Sequence, residues 1–347
     1  MYNATRRATA AGFDTRGTAC GRRSVAGLAV GLAAALALLA APPAALAQEA
    51  RIRVGHFPNV THVQALVARN LERQGRPWFS PERLGSPGLK IEWYVYNAGP
   101  SAMEAIFADT LDLTYVGPSP AINAYTRSRG EEIRVVAGAV NGGSALVVQP
   151  NAGLNGPADF RGKRIATPQL GNTQDVNARA WLVAGGLRVT QTGGDAQVVP
   201  TANPEQLALF QRREVDAVWT GEPWVSRLEE IGGRVLVEED DVITTVLVSS
   251  SRLLAAKRDL VRRFAAAHRE LTDWINQHPE EAQRMVRDEL RAVVRAEVSP
   301  DLVARAWRRM SVTADVSPAA FQEWLVNAQR AGFLRAAPDL SRLVEAP

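Results

Sequence analysis

The chain has 347 residues, with 40 Lys and Arg against 36 Asp and Glu, and its single cysteine is Cys20. Five Arg and one Asp lie within the first 47 residues, so the rest of the chain carries 35 basic and 35 acidic residues. This balance excludes the strongly basic surface on which nucleic-acid binding depends. The roughly 300 residues after the first 47 are enough for one large or two medium domains with a substantial core.

The first 47 residues have the organisation of a secretory signal peptide. Five arginines precede an apolar run over residues 25–41, and a small-residue cleavage site ends at Ala47. Cleavage there removes Cys20, so the exported protein has neither a disulfide nor a thiol nucleophile. The pair Arg22 and Arg23 leaves open whether export uses the Sec or the twin-arginine route. No later run reaches the roughly 20 apolar residues that a membrane-spanning helix needs.

The exported part opens with a strand, a helix and a second strand. Residues 51–55 alternate apolar and polar side chains, which predicts a strand. Apolar positions at helical spacing predict a helix over 63–71, with Asn59 or Thr61 as its N-cap. An alternating, aromatic-rich run over 91–96 predicts the second strand.

An internal repeat organises the middle of the chain. Residues 99–120 and 203–224 follow the same pattern 104 positions apart, without a gap. In each copy a Pro in the first turn begins an amphipathic helix, and a short apolar strand then ends at a Gly. The matching pairs are Pro100 and Pro204, Asp112 and Asp216, Tyr115 and Trp219, and Gly117 and Gly221. Each copy therefore directs a strand's carboxyl end and a helix N-terminus to one place, which predicts two lobes around one ligand.

The remaining runs place the crossings between these lobes. Apolar runs over 133–140 and 144–148 flank the break at 141–143, and strands over 235–237 and 242–248 are predicted to return to the first lobe. From residue 251 the pattern is helical, and the Ser-Pro pairs at 299–300 and 317–318 predict helix starts. The prediction is an α/β fold with two lobes, each a mostly parallel sheet flanked by helices. Lobe 1 comprises residues 48–141 and 242–347, and lobe 2 comprises residues 142–241.

Three segments carry a family resemblance. DLTYVGPSPAINAY at 112–125, DFRGKRIATPQLGNTQD at 159–175 and DAVWTGEPW at 216–224 resemble the periplasmic substrate-binding proteins of ABC importers, in the group for alkanesulfonates, taurine and nitrate. The resemblance implies a type II, Venus-flytrap fold that closes on its ligand by hinge bending. It also implies a periplasmic, monomeric protein without cofactor or catalytic activity, whose partners are an inner-membrane permease and its ATPase.

The candidate ligand site collects the loops at strand carboxyl ends. Helix N-termini present unpaired N–H groups and a partial positive charge. Several helix N-termini that converge on one cleft can therefore hold a sulfonate without a positively charged side chain. Trp224 is expected to wall off the organic tail. A carboxylate beside a bound anion is unfavourable, so Glu222 either points away from the ligand or, if it lines the pocket, pairs with the ammonium of a zwitterion such as an aminosulfonate. The predicted ligand-binding residues are Asn59, Thr61, His62, Gly117, Ser119, Ser144, Gln169, Gly171, Asn172, Thr173, Glu222 and Trp224.

The same residues exclude a metal site and leave other ligands and an enzyme as alternative interpretations. His56 and His62 lie six residues apart across a loop, which is not the spacing of metal ligands on a helix, so no metal site is expected. A thiamine-precursor pyrimidine, nitrate or bicarbonate are alternative ligands, the first by stacking on Tyr and Trp side chains. An enzyme on the same scaffold is a further alternative, with Ser119 or Ser144 as nucleophile and a histidine as base.

Overall fold

The computed structural model of the protein describes residues 50–345. The predicted signal peptide, its cleavage site at Ala47 and Cys20 lie outside the described residues. Among the helices of residues 50–345, none combines the length and the apolar character needed to cross a membrane.

The described residues form alternating strands and helices. The strands are β1 (Arg51–His56), β2 (Lys90–Val95), β3 (Leu113–Val116), β4 (Ile133–Gly142), β5 (Ser144–Val148), β6 (Arg164–Thr167), β7 (Val189–Thr190), β8 (Gly193–Gly194), β9 (Gln197–Pro200), β10 (Ala217–Gly221), β11 (Arg234–Glu239), β12 (Ile243–Ser250) and β13 (Met310–Val312). The helices are α1 (Val63–Arg73), α2 (Gly99–Phe107), α3 (Pro118–Arg127), α4 (Thr173–Ala184), α5 (Asn203–Gln211), α6 (Trp224–Glu230), α7 (Ser251–Ala256), α8 (Arg258–Gln277), α9 (Pro279–Val294), α10 (Pro300–Arg308) and α11 (Gln322–Arg330).

Two sheets form the centres of the two lobes. The first sheet has the strand order β13-β4-β12-β3-β1-β2, and the second has the order β11-β5-β10-β6-β9. Separate apolar clusters cover the two faces of each sheet with helices. The predicted two-lobed α/β architecture is confirmed.

The internal repeat is confirmed at the level of its elements. Helix α2 begins at Gly99 and α5 at Asn203, while β3 begins at Leu113 and β10 at Ala217, so both pairs keep the offset of the sequence repeat. Both strands lie in the interior of their sheets. The prolines stand in the first turn of both helices, where a missing N–H leaves no hydrogen bond unmade.

The prediction of mostly parallel sheets is wrong, because both sheets are mixed. Strand β1 pairs parallel with β2 and β3, but β12 pairs antiparallel with both β3 and β4. In the second sheet β10 is parallel to β6 and antiparallel to β5. A helical crossover makes neighbouring strands parallel, whereas β5 and β12 arrive directly from the other sheet. Strand β11 also differs from expectation, because it stays in the second sheet beside β5.

The chain crosses between the sheets at two short segments. Strand β4 passes into β5 through Gly142 and Gly143, which have φ angles of 71° and 74°. A Cβ on Gly142 would lie 2.5 Å from the carbonyl oxygen of Arg309, so only glycine fits this close approach. The return crossing joins Glu239, at the end of β11, to Ile243, at the start of β12.

Helix starts in the last third follow the sequence signals in part. The hydroxyl of Ser299 accepts a hydrogen bond from the backbone N–H of Leu302 at 3.1 Å, as expected of an N-cap. Ser317 instead precedes a short 3₁₀ turn, Pro318–Phe321, and its side chain makes no capping bond.

Candidate functional site

A cavity of about 30 Å³ lies between the two sheets. Loops and strand ends of both sheets line it, including Gly117 after β3, Gly221 at the end of β10 and Thr244 in β12. Seven of the predicted ligand-binding residues line this cavity: Asn59, Thr61, His62, Gly117, Ser144, Asn172 and Thr173. The strand ends that the repeat aligns therefore do meet in one place.

Helix α4 directs its N-terminus into the cavity. Asn172 is its N-cap, and the side-chain oxygen of Asn172 accepts a hydrogen bond from the backbone N–H of Asp175 at 2.9 Å. The N–H groups of Thr173 and Gln174 belong to the first turn, which has no carbonyl partner inside the helix. The cavity therefore faces the positive end of the helix dipole and two backbone donors.

Thr173 adds a third donor. Its hydroxyl is buried and has no hydrogen-bond partner within residues 50–345, although Thr173 lines the cavity. A buried hydroxyl without a partner costs free energy, which a ligand oxygen in the cavity would recover. A Cβ placed on Gly117 would lie 2.1 Å from this hydroxyl oxygen, so the two lobes touch at this point.

Helix α3 brings its N-terminus to the same cavity from the first lobe. Gly117 is its N-cap, and Pro118 and Pro120 remove two of the first-turn N–H groups, so Ser119 supplies the backbone donor between them. The hydroxyl of Ser119 is also buried and without a partner in the described chain. Its side chain lines a separate cavity of about 10 Å³ together with Gly171, so neither residue lines the main cavity.

His62 is a neutral donor in this wall. Its Nδ1 accepts a hydrogen bond from the backbone N–H of Phe57 at 3.3 Å, so the proton of the neutral imidazole resides on Nε2. Burial, and to a lesser degree His56, hold the pKa of His62 well below its usual range. The Phe57 and His62 rings pack with centroids 4.3 Å apart, which fixes the orientation of the imidazole.

The described residues that line the cavity carry no formal charge. Hydroxyls, amides and backbone groups make up its polar surface. Eight lining residues are not among the predicted ligands: Phe57, Gly99, Pro120, Gly143, Gln174, Gly221, Thr244 and Thr245. Of these, the adjacent polar pair Thr244 and Thr245 near the start of β12 was the available signal in the sequence. Within residues 50–345, no group of His, Cys, Asp and Glu side chains could hold a metal ion.

A wider groove of about 480 Å³ lies elsewhere, beside β4, β12 and the segment before α11. Asp241, Asp315 and Glu323 line it, with Arg269 as its cation. The groove has more room than the cavity between the sheets, but no helix N-terminus of the repeat faces it. Its net negative lining disfavours an anion, so the cavity between the sheets remains the candidate site.

Gln169 joins the lobes outside the cavity. Its side-chain nitrogen donates to the hydroxyl of Ser101 at 2.9 Å, and Ser101 belongs to α2 of the first lobe. Beside it the side chain of Asn97 donates to the carbonyl oxygen of Pro168 at 3.1 Å. Both contacts connect the rims of the two lobes.

The side chains of Glu222 and Trp224 make hydrogen bonds outside the cavity. The carboxylate of Glu222 is buried and accepts hydrogen bonds from the N–H and hydroxyl of Ser226, at 3.1 and 2.9 Å, and from Arg309 at 3.2 Å. Burial raises the pKa of this carboxyl group, although Ser226 and Arg309 stabilise its charge. The indole of Trp224 donates to the side-chain oxygen of Asn59 at 3.2 Å. Neither side chain lines the cavity.

The prediction that Asn59 or Thr61 is the N-cap of α1 is wrong, because His62 occupies that position. A 3₁₀ turn over Val60–His62 precedes α1, and the Asn59 side chain makes no capping bond. The backbone N–H of Val60 donates instead to the carbonyl oxygen of Glu222 at 2.9 Å, which ties this loop to the second lobe.

Comparisons with known proteins agree with this architecture. The family model described as the NMT1-like family matches residues 45–288. A putative binding protein of Brucella abortus is 24% identical over 260 residues, which cover 72% of this chain and 75% of the relative. A putative aliphatic sulfonates-binding protein of Bacillus subtilis is 27% identical over 236 residues, covering 65% of this chain and 68% of the relative.

A solved structure with the same fold is the alkanesulfonate-binding protein SsuA from Xanthomonas axonopodis pv. citri, bound to MOPS. It superimposes with a TM-score of 0.66 at 21% identity, over 86% of this chain and 97% of the other. The similarity extends over both lobes, so the fold is that of a periplasmic binding protein.

Proposed function

This chain belongs to the NMT1-like family, and we propose that it is the solute-binding component of an ABC importer for a small organic anion of the aliphatic-sulfonate class. The observation that carries the proposal is the N-terminus of α4 with the unpartnered Thr173 hydroxyl, both at an uncharged cavity between two lobes. A sulfonate offers three acceptor oxygens and a single negative charge. These match the two backbone donors and the hydroxyl on that wall.

The expected affinity follows from these donors. Hydrogen bonds to a charged group contribute about 1.5–3 kcal/mol each, so three contribute roughly 5–9 kcal/mol. The dipole of α4 adds up to about 2 kcal/mol in a partly buried geometry. A micromolar dissociation constant corresponds to about 8 kcal/mol. Association itself costs at least about 4 kcal/mol, so the donors supply part of this value and burial of the organic tail must supply the rest.

The cavity also indicates which sulfonates bind. No carboxylate is among the described residues that line it, and the nearest carboxylate expected for this role, Glu222, is occupied by Ser226 and Arg309. An ammonium group such as that of taurine would lose its hydration without gaining a partner. We therefore expect ethanesulfonate to bind more tightly than taurine, and of the two alternatives for Glu222 we propose the one in which it points away from the solute.

The same geometry argues against the alternatives. The Tyr and Trp side chains on which a pyrimidine was expected to stack are not among the lining residues that the structure describes. The aromatic rings that do line the cavity, Phe57 and His62, pack against each other with centroids 4.3 Å apart. A Ser144 nucleophile would need a base, but the Nδ1 of His62 is engaged with Phe57 and its Nε2 holds the proton. Binding without catalysis is the function proposed.

Transport requires opening and closing of the lobes. A 30 Å³ cavity is far below the roughly 300–1,000 Å³ of pockets for drug-sized ligands, so a solute enters only when the lobes part. We place the lobes at residues 48–141 with 242–347 and at residues 142–241, with hinges at the two crossings. Asn59, Thr61, His62, Gly117, Ser144, Asn172 and Thr173 face the solute, whereas the predicted ligands Gln169, Glu222 and Trp224 hold the lobes together.

The proposed setting is the periplasm, after removal of the signal peptide near Ala47. The partners there are a permease and its ATPase in the inner membrane, and the binding protein acts as a monomer.

Titration calorimetry on the exported protein tests the proposal. Ethanesulfonate is expected to bind with a micromolar constant, ahead of taurine, nitrate, bicarbonate and a thiamine-precursor pyrimidine. Thr173→Val keeps the shape of the side chain and removes the hydroxyl, so it should weaken ethanesulfonate binding about tenfold. Tighter binding of the pyrimidine, or a Val variant that binds ethanesulfonate as well as the original chain, would contradict the proposal.

A further inference from the structure

A buried carboxyl group lies directly behind the wall of the cavity. Glu239, the last residue of β11, stands opposite Ser144 in the antiparallel pair of β11 with β5. Opposite residues of neighbouring strands share one face of the sheet, so these two side chains are adjacent. Ser144 lines the cavity, whereas Glu239 is buried behind it.

The carboxyl group of Glu239 has neutral partners. The side-chain nitrogen of Asn177 donates to its Oε1, and the Asn177 oxygen accepts a hydrogen bond from Asn327 of α11 at 3.2 Å. Its Oε2 has no well-formed hydrogen bond within residues 50–345, nor does the indole nitrogen of Trp219. The Ser144 hydroxyl and the Trp219 indole are nevertheless near enough to lower the pKa of this carboxyl, so one oxygen remains available to a proton.

Burial outweighs these contacts and raises the pKa of Glu239 to about 7. From α11, Glu323 adds a like charge that raises it further. From β5, α4 and β10 the facing groups are Ser144, Asn177 and Trp219, which are uncharged at neutral pH.

The other ionisable groups of these elements are engaged elsewhere. On α4, Asp175 and Arg179 form a buried ion pair with each other at 3.0 Å. On β11 the preceding Glu238 pairs with Arg309 at 3.1 Å. The return crossing carries two acidic residues, Asp240 and Asp241, and Asp241 lines the wider groove of about 480 Å³.

We propose that Glu239 is a positioning residue of the solute site, and that the site takes up its anion together with one proton held by Glu239. This inference rests on the proposed function, because it concerns how the same cavity receives an anion. Its physical basis is the direction of the Ser144 hydroxyl.

When Glu239 is ionised, its carboxylate accepts the hydrogen of the Ser144 hydroxyl. Ser144 then turns lone pairs towards the cavity, where Gln174 donates to its oxygen at 3.2 Å, and an anion meets no donor from it. When Glu239 takes a proton from solvent, its O–H donates to the Ser144 oxygen instead. The Ser144 hydrogen is then free to point at an anion, and the buried negative charge behind it is gone.

The histidines near the cavity do not supply this proton. His62 has a pKa well below 6.5, mainly because it is buried, and His56 has a pKa of about 3 for the same reason and because of Arg69. Both stay neutral where Glu239 titrates.

The expected size of the effect follows from the protonated fraction. With a pKa of about 7, roughly nine tenths of Glu239 is protonated at about pH 6 and one tenth at about pH 8. The apparent affinity is proportional to the fraction of the protein in which Glu239 is protonated. Ethanesulfonate should therefore bind about tenfold more weakly at pH 8 than at pH 6.

Calorimetry with ethanesulfonate at both pH values, in buffers of different ionisation enthalpy, measures affinity and proton uptake together. The original chain should take up close to one proton per anion at pH 8 and almost none at pH 6. Glu239→Gln carries a permanent donor, so it should bind at pH 8 as tightly as the original chain does at pH 6, without proton uptake. A gain of affinity at pH 8 cannot come from misfolding. Glu323→Gln is the matched control: it removes a like charge but leaves Glu239 in place, so the pH dependence and the proton uptake should persist with their midpoint moved to lower pH.

An infrared pH titration of the same two proteins gives a readout without solute. The band of a protonated buried carboxyl group should disappear as pH rises through about 7 in the original chain, and be missing from Glu239→Gln. The buried Glu222 also has a raised pKa, so the readout is the difference between the two proteins. A difference without a carboxyl band lost near pH 7, or proton uptake that survives in Glu239→Gln, overturns the inference. If Glu239 titrates as expected but ethanesulfonate binds at neither pH, the proposed function fails and the coupling to an anion fails with it.

Discussion

Replacing Gly117 by alanine tests whether the lobes must touch for the solute to be held. The backbone tolerates the change, because Gly117 has φ −70° and ψ 157°, a conformation that any residue adopts. The added Cβ would lie 2.1 Å from the Thr173 hydroxyl oxygen and 3.2 Å from the Thr173 Cβ. Threonine is β-branched and stiff at χ1, so the hydroxyl cannot simply rotate away. The lobes must instead separate by about 1 Å.

In the opening motion that we propose, Gly117 and Thr173 move apart, so the cost falls on the closed conformation only. Overpacking of this size costs about 1–3 kcal/mol. Each 1.4 kcal/mol is tenfold in affinity, so Gly117→Ala should weaken ethanesulfonate binding by roughly 5-fold to 150-fold. Calorimetry measures the affinity, and small-angle X-ray scattering with saturating solute measures the closure.

Two variants control this experiment. Gly221→Ala changes the equivalent residue of the repeat, where the new Cβ meets its nearest neighbour, the Gly143 carbonyl oxygen, at 3.6 Å, so closure should persist. Adding Thr173→Ser to Gly117→Ala restores rotation of the hydroxyl and should recover part of the affinity. If Gly117→Ala binds and compacts like the original chain, the lobes do not close through this contact and the reasoning is refuted.

Three further changes probe the contacts around the site. The pKa of Glu239 is raised from 4.5 to about 7 in the folded state, so its stabilising contribution is complete below pH 4.5 and is lost as pH rises through 7. In urea unfolding, the free energy of unfolding should fall by roughly 3 kcal/mol between those pH values. This fall should be absent in Glu239→Gln. Arg309→Ala leaves the buried carboxylate of Glu222 without its cation and should lower the free energy of unfolding by about 3–5 kcal/mol. Glu222→Gln in the same chain should restore part of this loss, because Arg309 also pairs with Glu229 and Glu238. Equal stability of the single and double variants would contradict the pairing of Arg309 with Glu222. Gln169→Ala removes the 2.9 Å hydrogen bond to Ser101 at the rim of the lobes. Stopped-flow binding should then show a several-fold faster dissociation rate and an unchanged association rate. A slower association rate would instead mark Gln169 as a direct ligand.

Local signals in the sequence placed the elements of the repeat correctly. A proline in the first turn and a glycine at the strand end act within a few residues, so Pro100, Gly117 and Gly221 fix the starts and ends of elements wherever the chain folds. Two copies at one offset then predict two equivalent strand ends, and both line the cavity.

Strand direction and side-chain partners depended on contacts that are distant in sequence. The sequence left open whether Glu222 faces the solute or points away, because its partner Arg309 lies 87 residues away. Asn is a residue type favoured at helix N-caps, but the side-chain oxygen of Asn59 accepts a hydrogen bond from the indole of Trp224 in the other lobe. Glu239 belongs to an acidic run that resembles an exposed turn, and only the pairing of β11 with β5 buries it.

The most direct test of the account is a crystal structure of the exported protein with ethanesulfonate. The account predicts the sulfonate in the cavity between the sheets, with its oxygens within hydrogen-bond distance of the Thr173 and Gln174 N–H groups and the Thr173 hydroxyl. A sulfonate held by arginine or lysine side chains, or bound in the outer groove beside Asp241, would contradict it.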